Sequence, residues 1–205
     1  DREGNSLAEG EIHGQNGGYP IAIALSNDAV KLAVSMININ EGSVKSTIAF
    51  YNYGTVGQNE IDHCVGVNNY DDMVIPEMEF TSNDRMVAFG DTKAVIFEGA
   101  QKPQAIAEIP MDEKTKSIFY NEHYIGIVTG NEDEAVTNHL AVYDENGKLV
   151  MEKDFGLDYS SIEFLTNNEI CIRNANVCDI YTVHGVYKFH HEFEEELFEI
   201  IPGKL

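Results

Sequence analysis

The chain has 205 residues, 43% of them apolar, which is enough to build one domain with a packed core. Thirteen Lys and Arg stand against 35 Asp and Glu, so the formal charge of −22 repels phosphate backbones and anionic lipid headgroups. We therefore predict no nucleic-acid partner, and three cysteines, an odd number, do not describe a disulfide framework.

The first predicted repeat covers residues 19–73 and contains a polar triplet of Ser26, Asn27 and Asp28 between two alternating apolar runs. Asn and Asp tolerate turn geometry and accept hydrogen bonds from nearby backbone amides, so the triplet predicts a hairpin bend. The runs on both sides predict strands, and a third strand and a glycine turn at Gly54 follow. The three predicted strands are residues 21–25, 32–34 and 48–51.

The same order of features returns in three further predicted repeats, residues 74–112, 113–157 and 158–202. Each has a polar triplet between two strands, a third strand rich in β-branched and aromatic residues, a glycine turn and a fourth strand. The triplets are residues 82–84, 120–122 and 166–168, and the glycines are Gly99, Gly147 and Gly185. The predicted strands are 78–80, 86–89, 94–97, 105–109, 117–119, 124–128, 140–143, 149–152, 162–165, 170–172, 179–182 and 187–189.

The central Asn of each triplet lies at position 27, 83, 121 or 167, in steps of 56, 38 and 46 residues. Steps of this length are typical of a small supersecondary unit repeated in series, and helical periodicity is nearly absent. Repeated four-stranded antiparallel units of about forty residues are typical of β-propeller blades. The sequence thus predicts an all-β fold, a β-propeller-like array of four four-stranded antiparallel blades in a single domain over residues 1–205. Three repeats end on an Ile-Pro step that suits the exit from an edge strand, at Ile75-Pro76, Ile109-Pro110 and Ile201-Pro202.

Four blades leave the closure of the ring open, because propellers usually have about four to eight blades. In an open arc, the first and last blades each present an apolar face to water, and large exposed apolar faces are usually covered. We therefore expect either a closed small ring or an open arc of a larger propeller. In the open arc, the bare faces meet another copy of the chain, as a homo-oligomer, or missing blades.

Several stretches together resemble an uncharacterised family of bacterial proteins, a domain of unknown function with WD40/TolB/YVTN-like propeller character. They are "GGYPIAIALSNDAVKLAVS" from Gly17, "KSTIAFYNYGTVGQNEID" from Lys45, "VAFGD" from Val87, "KSIFYNEHYIGIV" from Lys116, "AVYDENGK" from Ala141 and "GVYKF" from Gly185. The resemblance implies a short cytoplasmic start, one membrane-spanning helix and an extracytoplasmic propeller in Gram-positive gut bacteria. Family members extend further on the N-terminal side, so the chain is similar to their C-terminal part. The resemblance supplies no catalytic or ligand-binding residues.

Two sequence features bear on targeting. The chain opens at Asp1 with neither an initiator Met nor an apolar leader, so we expect a form from which any targeting segment has been removed. No run approaches the roughly 18 apolar residues that a membrane-spanning helix needs. We therefore expect the membrane anchor of the full-length protein to lie in an absent N-terminal helix.

The most metal-like cluster is His190 and His191 with Glu192 and the glutamates at 194–196. Adjacent residues of a strand point to opposite faces, so the two imidazoles do not readily share one ion, and we predict a solvated edge strand. Residues 131–134, an acidic loop, lack the spaced acids and glycine of a calcium loop. We predict a solvated connection there.

Other candidate sites also favour a structural interpretation. Asp71 and Asp72 form a solvated acidic pair, and Cys64 next to His63 faces away from it on a strand. Residues 14–18, "GQNGG", lack the lysine and helix start of a phosphate-binding loop. We therefore predict no catalytic, metal-binding or cofactor-binding residues and no cofactor.

Cys171 and Cys178 flank a predicted turn near Asn174 and Ala175, where a two-residue loop places them opposite each other. A cross-strand disulfide and two separate small apolar side chains are both compatible with this arrangement.

The leading hypothesis is a non-enzymatic, extracytoplasmic scaffold that binds an unknown protein, peptide or glycan ligand through loops at one end of the propeller. Tyrosines predicted in loops, Tyr19, Tyr53 and Tyr70, are candidates for that surface. The alternative is a hydrolase or lyase whose site is assembled in the central channel from several blades, which leaves no local motif. A third hypothesis is a structural part of a larger envelope assembly.

Overall fold

The computed structural model describes residues 18–40, 42–54, 63–112, 114–130 and 137–201. This part of the chain contains sixteen β-strands and no helix. The strands are β1 (Tyr19–Leu25), β2 (Lys31–Asn40), β3 (Ser43–Asn52), β4 (Cys64–Asp71), β5 (Glu77–Ser82), β6 (Arg85–Phe89), β7 (Lys93–Glu98), β8 (Gln104–Pro110), β9 (Thr115–Tyr120), β10 (Tyr124–Gly130), β11 (Asn138–Asp144), β12 (Leu149–Phe155), β13 (Ser161–Thr166), β14 (Glu169–Arg173), β15 (Val177–Thr182) and β16 (Tyr187–Glu192).

The strands form four antiparallel sheets of four strands, each a simple meander in chain order: β1 to β4, β5 to β8, β9 to β12 and β13 to β16. The predicted all-β fold class is confirmed. Each polar triplet lies at the hairpin between the first and second strands of its sheet, as predicted. The Ile-Pro step at Pro202 lies outside the described residues.

The chain divides into two compact units, residues 1–112 and residues 113–205, each with two of the sheets. The single domain and the bounds of the four repeats stay predictions.

The first unit has its main core between the sheets β1–β4 and β5–β8. Ile48 and Phe50 of β3 project from one face because they are two residues apart, and they pack with Val95 and Phe97 of β7. The rings of Phe50 and Phe97 lie 5.1 Å apart between centroids. Residues 94–97 of β7 are all buried, so this sheet is covered on both faces, as expected of a propeller blade.

The first two polar triplets contact each other, which explains part of their repetition. The backbone N–H of Asp28 donates to Asn83 Oδ1 at 3.1 Å, so the corner of one sheet binds the corner of the next. Lys31, whose side chain is only 8% exposed, donates from Nζ to the Asn83 carbonyl at 2.7 Å and to the Asp84 carboxylate. Within the first corner, the Ser26 hydroxyl donates to Asp28 at 2.6 Å and holds the pKa of that carboxyl below its ordinary value.

Replacing Lys31 by Met is expected to lower the free energy of unfolding by about 1–3 kcal/mol, because the substitution removes the donor to two acceptors at a largely buried position. Met keeps most of the aliphatic part of the Lys side chain, so the decrease in the free energy of unfolding measures the contribution of the ammonium group. Lys45→Met is the matched control, because its pair with Asp71 is exposed on both sides and therefore contributes little to stability. Urea unfolding followed by circular dichroism measures both. Equal losses in the two variants would contradict the role of Lys31.

The second unit has its core between the sheets β9–β12 and β13–β16. Val128, Leu140 and Val142 pack with Ile170 and Ile172, whose side chains share one face of β14. Polar groups in the connection between the two sheets are satisfied: Asn138 Nδ2 donates to the Leu157 carbonyl at 3.1 Å, and Ser117 Oγ lies 2.7 Å from Tyr159 Oη.

The register of β14 and β15 corrects one prediction. Cys178 lies opposite Arg173, and Cys171 lies opposite Ile180, so the two cysteines are diagonal neighbours and not directly opposed. The reason is the turn: Asn174 Oδ1 accepts the N–H groups of residues 176 and 177, so Asn174 opens the turn and does not lie at its centre. Both thiols are free and buried, with their Sγ atoms 3.7 Å apart.

The three cysteines differ in exposure, so we predict that a thiol reagent distinguishes between them in the native chain. Burial raises the pKa of Cys171 to about 12 and also raises that of Cys178, so at pH 8 both stay protonated and shielded. Cys64 is half-buried and is expected to react. Titration of the native chain with an aromatic disulfide reagent should therefore modify one thiol, and titration after unfolding should modify three. Only one reactive thiol after unfolding would contradict the free state of the pair.

Candidate functional site

The residues of the metal-like cluster lie on and after β16, the edge strand of the last sheet, and all six residues of that strand are exposed. The two histidines have different neighbours. His190 Nδ1 lies 2.7 Å from Asp179 Oδ1, whereas the His191 ring packs on Phe193 with centroids 4.5 Å apart. Among the described residues, no group of three or more His, Cys, Asp or Glu is placed to hold a metal ion.

The acidic pair at the end of β4, Asp71 and Asp72, has structural contacts. Asp71 is ion-paired with Lys45 at 2.9 Å, and the N–H of Asp72 donates to the Val44 carbonyl at 2.8 Å. The acidic loop at 131–134 and nearly all of the "GQNGG" stretch at 14–18 lie outside the described residues.

Cys64 and His63, adjacent in sequence, have different neighbours in the structure. The His63 ring packs on the Tyr53 ring with centroids 4.6 Å apart, and Cys64 Sγ lies 3.6 Å from the carbonyl of Gly66.

Of the three tyrosines predicted in loops, only one lies in a loop. Tyr19 begins β1 and Tyr70 lies in β4, so the loop prediction is wrong for both, and only Tyr53 lies in a connection. Alternation in the polar stretch that forms β4 is weak, which hid that strand. Tyr70 packs against the core of the first unit, and burial raises its pKa to about 12. Tyr19 is 74% exposed.

A cavity of about 440 Å³ lies on the last sheet, on the face opposite the core of the second unit. We call it the last-sheet groove. Its lining residues are Glu169, Cys178, Ile180, Lys188, Phe189, Phe193 and Ile200.

The alternation of β15 and its pairing with β16 build the floor of the last-sheet groove. Cys178 and Ile180 are two residues apart and therefore share a face, and Phe189 lies opposite Ile180. Tyr181, the residue after Ile180, points to the other face and joins the core. The sheet is thus apolar on both faces, where a sheet with one solvated face would alternate apolar and polar residues.

A register shift between Ile180 and Tyr181 lies beside Lys188 of β16. Lys188 Nζ bonds to the Glu169 carboxylate, and this hydrogen bond holds the pKa of Glu169 below its ordinary value. Glu169 and Lys188 therefore satisfy each other at one end of the last-sheet groove.

The segment after β16, residues 193–201, forms the side of the groove. Two backbone hydrogen bonds attach it to the β14–β15 turn: the N–H of Phe193 donates to the Asn176 carbonyl at 2.7 Å, and that of Leu197 donates to the Ala175 carbonyl at 2.6 Å. These contacts place Ile200 over the apolar floor.

The groove suits the burial of apolar side chains more than bond cleavage. Its thiol, Cys178, has a pKa raised by burial, so it is not a thiolate at neutral pH. Its carboxylate and ammonium groups, Glu169 and Lys188, are paired with each other. Apolar surface removed from water on binding is the main driving force that such a site offers.

Sequence reasoning missed this groove, although a signal was present. Between Glu192 and Ile201 the chain interleaves apolar residues with glutamates, as "EFEEELFEII". A fully solvated segment is not expected to carry large apolar side chains such as those of Phe193, Leu197 and Ile200. Their presence indicates that the segment packs against another part of the protein. What the segment packs on became clear only from the fold.

Several solved structures are similar to this chain. The acylaminoacyl peptidase of Pyrococcus horikoshii aligns with a TM-score of 0.54 and 13% identity, over 88% of this chain and 33% of that chain. The β-propeller domain of the Trilobed protease from Pyrococcus furiosus, with an open velcro topology, aligns with a TM-score of 0.52 and 12% identity, over 88% of this chain and 58% of that one. HIRA(644-1017) aligns with a TM-score of 0.51 and 11% identity, over 83% and 54%.

Likeness at this level of identity shows the fold alone, and it confirms the β-propeller-like arrangement. The chain spans a third to less than two thirds of these relatives. Comparison with curated proteins finds no match. No helix in the described residues is long and apolar enough to cross a membrane. A family model matches residues 1–205, and its description is a family of unknown function, DUF5711.

Proposed function

The chain belongs to the DUF5711 family, a family of unknown function, so the family does not supply a function for it. From the structure of the chain, we propose that it is a non-enzymatic β-propeller module that binds a protein or peptide partner. The observation that carries this proposal is the last-sheet groove, an apolar cavity of about 440 Å³ on a sheet face that stays partly open. Cavities that hold small ligands or side chains are about 300–1,000 Å³ and mostly apolar.

Exposure of Phe189 supports a binding role. The side chain lines the groove and is still 44% exposed, so part of its aromatic surface is available to a partner. Aromatic anchors in apolar depressions are the residues on which binding energy concentrates. A peptide or protein segment fits such a surface better than a glycan does, because the polar groups that would bind sugar hydroxyls, Glu169 and Lys188, are paired with each other.

We further propose, from the family resemblance, that the module lies outside the cytoplasm and that the full-length protein to which it belongs is anchored in the membrane. Its surface suits exposure to water, since 35 acidic residues keep it strongly charged. A hydrolase or lyase site in a central channel, and coverage of open faces by missing blades or by a second copy, stay predictions.

Selection of peptides on the purified chain tests the binding function. A random peptide library is enriched on the wild-type chain, and the affinity of enriched peptides is then measured for Phe189→Asp. We expect at least a tenfold loss, since an anchor residue of an interface is typically worth about 1.4 kcal/mol or more.

Val186→Asp is the matched control, because it adds the same charge at an exposed residue outside the groove. Unfolding curves confirm that both variants fold. Enriched peptides that bind Phe189→Asp as tightly as the wild type would overturn the proposal.

A further inference from the structure

The groove has an apolar floor next to a strongly acidic segment. Residues 192–201 contain five glutamates and neither Lys nor Arg, and all five glutamates are exposed. They are Glu192, Glu194, Glu195, Glu196 and Glu199. The same segment contributes Phe193 and Ile200 to the wall of the groove, so these exposed glutamates flank, along the chain, residues that line the apolar cavity.

Lys188, the one cation among the residues that line the groove, does not cancel this charge. Lys188 is bound to Glu169, which already balances it. The edge of the groove therefore keeps a net negative charge at neutral pH, in a chain whose formal charge is −22. Close like charges raise the free energy of binding, whereas complementary charges speed association and select the partner.

We propose that the last-sheet groove binds an extended polypeptide segment whose apolar side chains are flanked by Lys or Arg. This inference rests on the proposed function and names the chemistry of the partner. The apolar side chains enter the cavity over Ile180 and Phe189, and the flanking cations lie against the carboxylates of residues 192–199. A cavity of about 440 Å³ holds a few side chains, so a short segment suffices.

Charge also decides between this occupant and a second copy of the chain. Two chains that each carry a formal charge of −22 repel each other at moderate ionic strength. The glutamates at the edge of the groove would face further carboxylates in such a pair. A basic segment from another protein is attracted by the same negative charge, so the electrostatics favour a different protein as the partner.

Three labelled synthetic peptides of equal length test the inference by fluorescence anisotropy. The first alternates Leu or Phe with Lys, the second has Ser in place of each Lys, and the third has Glu. We expect the Lys peptide to bind at least about tenfold more tightly than the Ser peptide, because three or more rim charges each improve the affinity about twofold to threefold. The Glu peptide binds more weakly than both. At about 0.5 M salt most of the difference disappears, because the charges are screened.

Two variants separate groove binding from attraction to an acidic surface. Phe189→Asp adds a negative charge, so unspecific binding of the Lys peptide would strengthen, whereas binding in the groove weakens at least about tenfold. Neutralising Glu194, Glu195 and Glu196 to Gln weakens the Lys peptide about tenfold and leaves the Ser peptide unchanged. The matched control is the triple variant Asp71→Asn, Asp72→Asn and Glu122→Gln, which removes three exposed charges elsewhere and is expected to change neither.

The outcomes distinguish this inference from the proposed function. Equal affinity for the Lys and Ser peptides, with both lost in Phe189→Asp, would overturn the basic partner and keep the groove as a binding site. A Lys peptide that binds Phe189→Asp more tightly than the wild type would show surface attraction and overturn the inference. No loss of any peptide in Phe189→Asp, including those enriched by selection, would overturn both.

Discussion

Replacing Phe97 by Ala is expected to lower the free energy of unfolding of the first unit by about 3–5 kcal/mol. The Phe97 side chain has no exposed surface, and its ring lies 5.1 Å from that of Phe50 in the core between the sheets β1–β4 and β5–β8. The substitution removes most of a buried aromatic ring and leaves a cavity that neighbouring strands cannot close, because their backbones are held by cross-strand hydrogen bonds.

Urea unfolding followed by far-ultraviolet circular dichroism measures the effect, since the chain has no Trp to serve as a fluorescent reporter. Phe198→Ala is the matched control, because that ring is 83% exposed, and its removal is expected to change stability by no more than about 0.5 kcal/mol. A loss below about 1 kcal/mol for Phe97→Ala would show that the two sheets do not share this core.

Replacing Gly126 by Ala is expected to lower the free energy of unfolding of the second unit by about 1–3 kcal/mol. Gly126 lies opposite Phe119 on the paired strands β10 and β9, and a Cβ atom at position 126 would lie 2.2 Å from Phe119 Cζ. The ring cannot simply move away, because it packs on the Phe164 ring with centroids 4.6 Å apart.

The sign of this effect is informative. Ala in place of Gly inside a strand normally stabilises a protein by roughly 0.5–1 kcal/mol, because the unfolded chain loses conformational freedom. Gly130→Ala is the control on the same strand: its Cβ would meet only the flexible end of the Lys116 side chain, so we expect little change or a small gain. If both variants are stabilised, Phe119 does not cover Gly126.

Local features of the sequence were sufficient for the corners and for the described strands other than β4. The triplet of Ser26, Asn27 and Asp28 predicts a hairpin because the side chains bond to amides within the same few residues. A short continuous run of apolar residues likewise depends only on neighbours along the chain, so residues 94–97 indicated a buried strand before any partner was known. The four-sheet architecture follows from repeating these local signals.

The contacts that distinguish one repeat from another were not predictable in this way. Nothing in the sequence marks Lys31 as a buried cation, because its acceptors, Asn83 and Asp84, lie in the next sheet. The pairing of Cys171 with Ile180 also escaped prediction: a shift of two residues keeps every side chain on its face, so alternation cannot detect it.

By itself, the sequence determined a series of four-stranded meanders with apolar faces and acidic surroundings, since hairpin turns and strand alternation depend on residues close together in the chain. Tertiary structure alone decided that residues 193–201 return to the β14–β15 turn through the hydrogen bonds of Phe193 and Leu197. It also decided that Phe189 and Ile200 meet across an open cavity. The physical reason is that a groove forms where packing leaves a surface uncovered. Such packing joins elements that are far apart in the sequence, so no short stretch of the chain can reveal it.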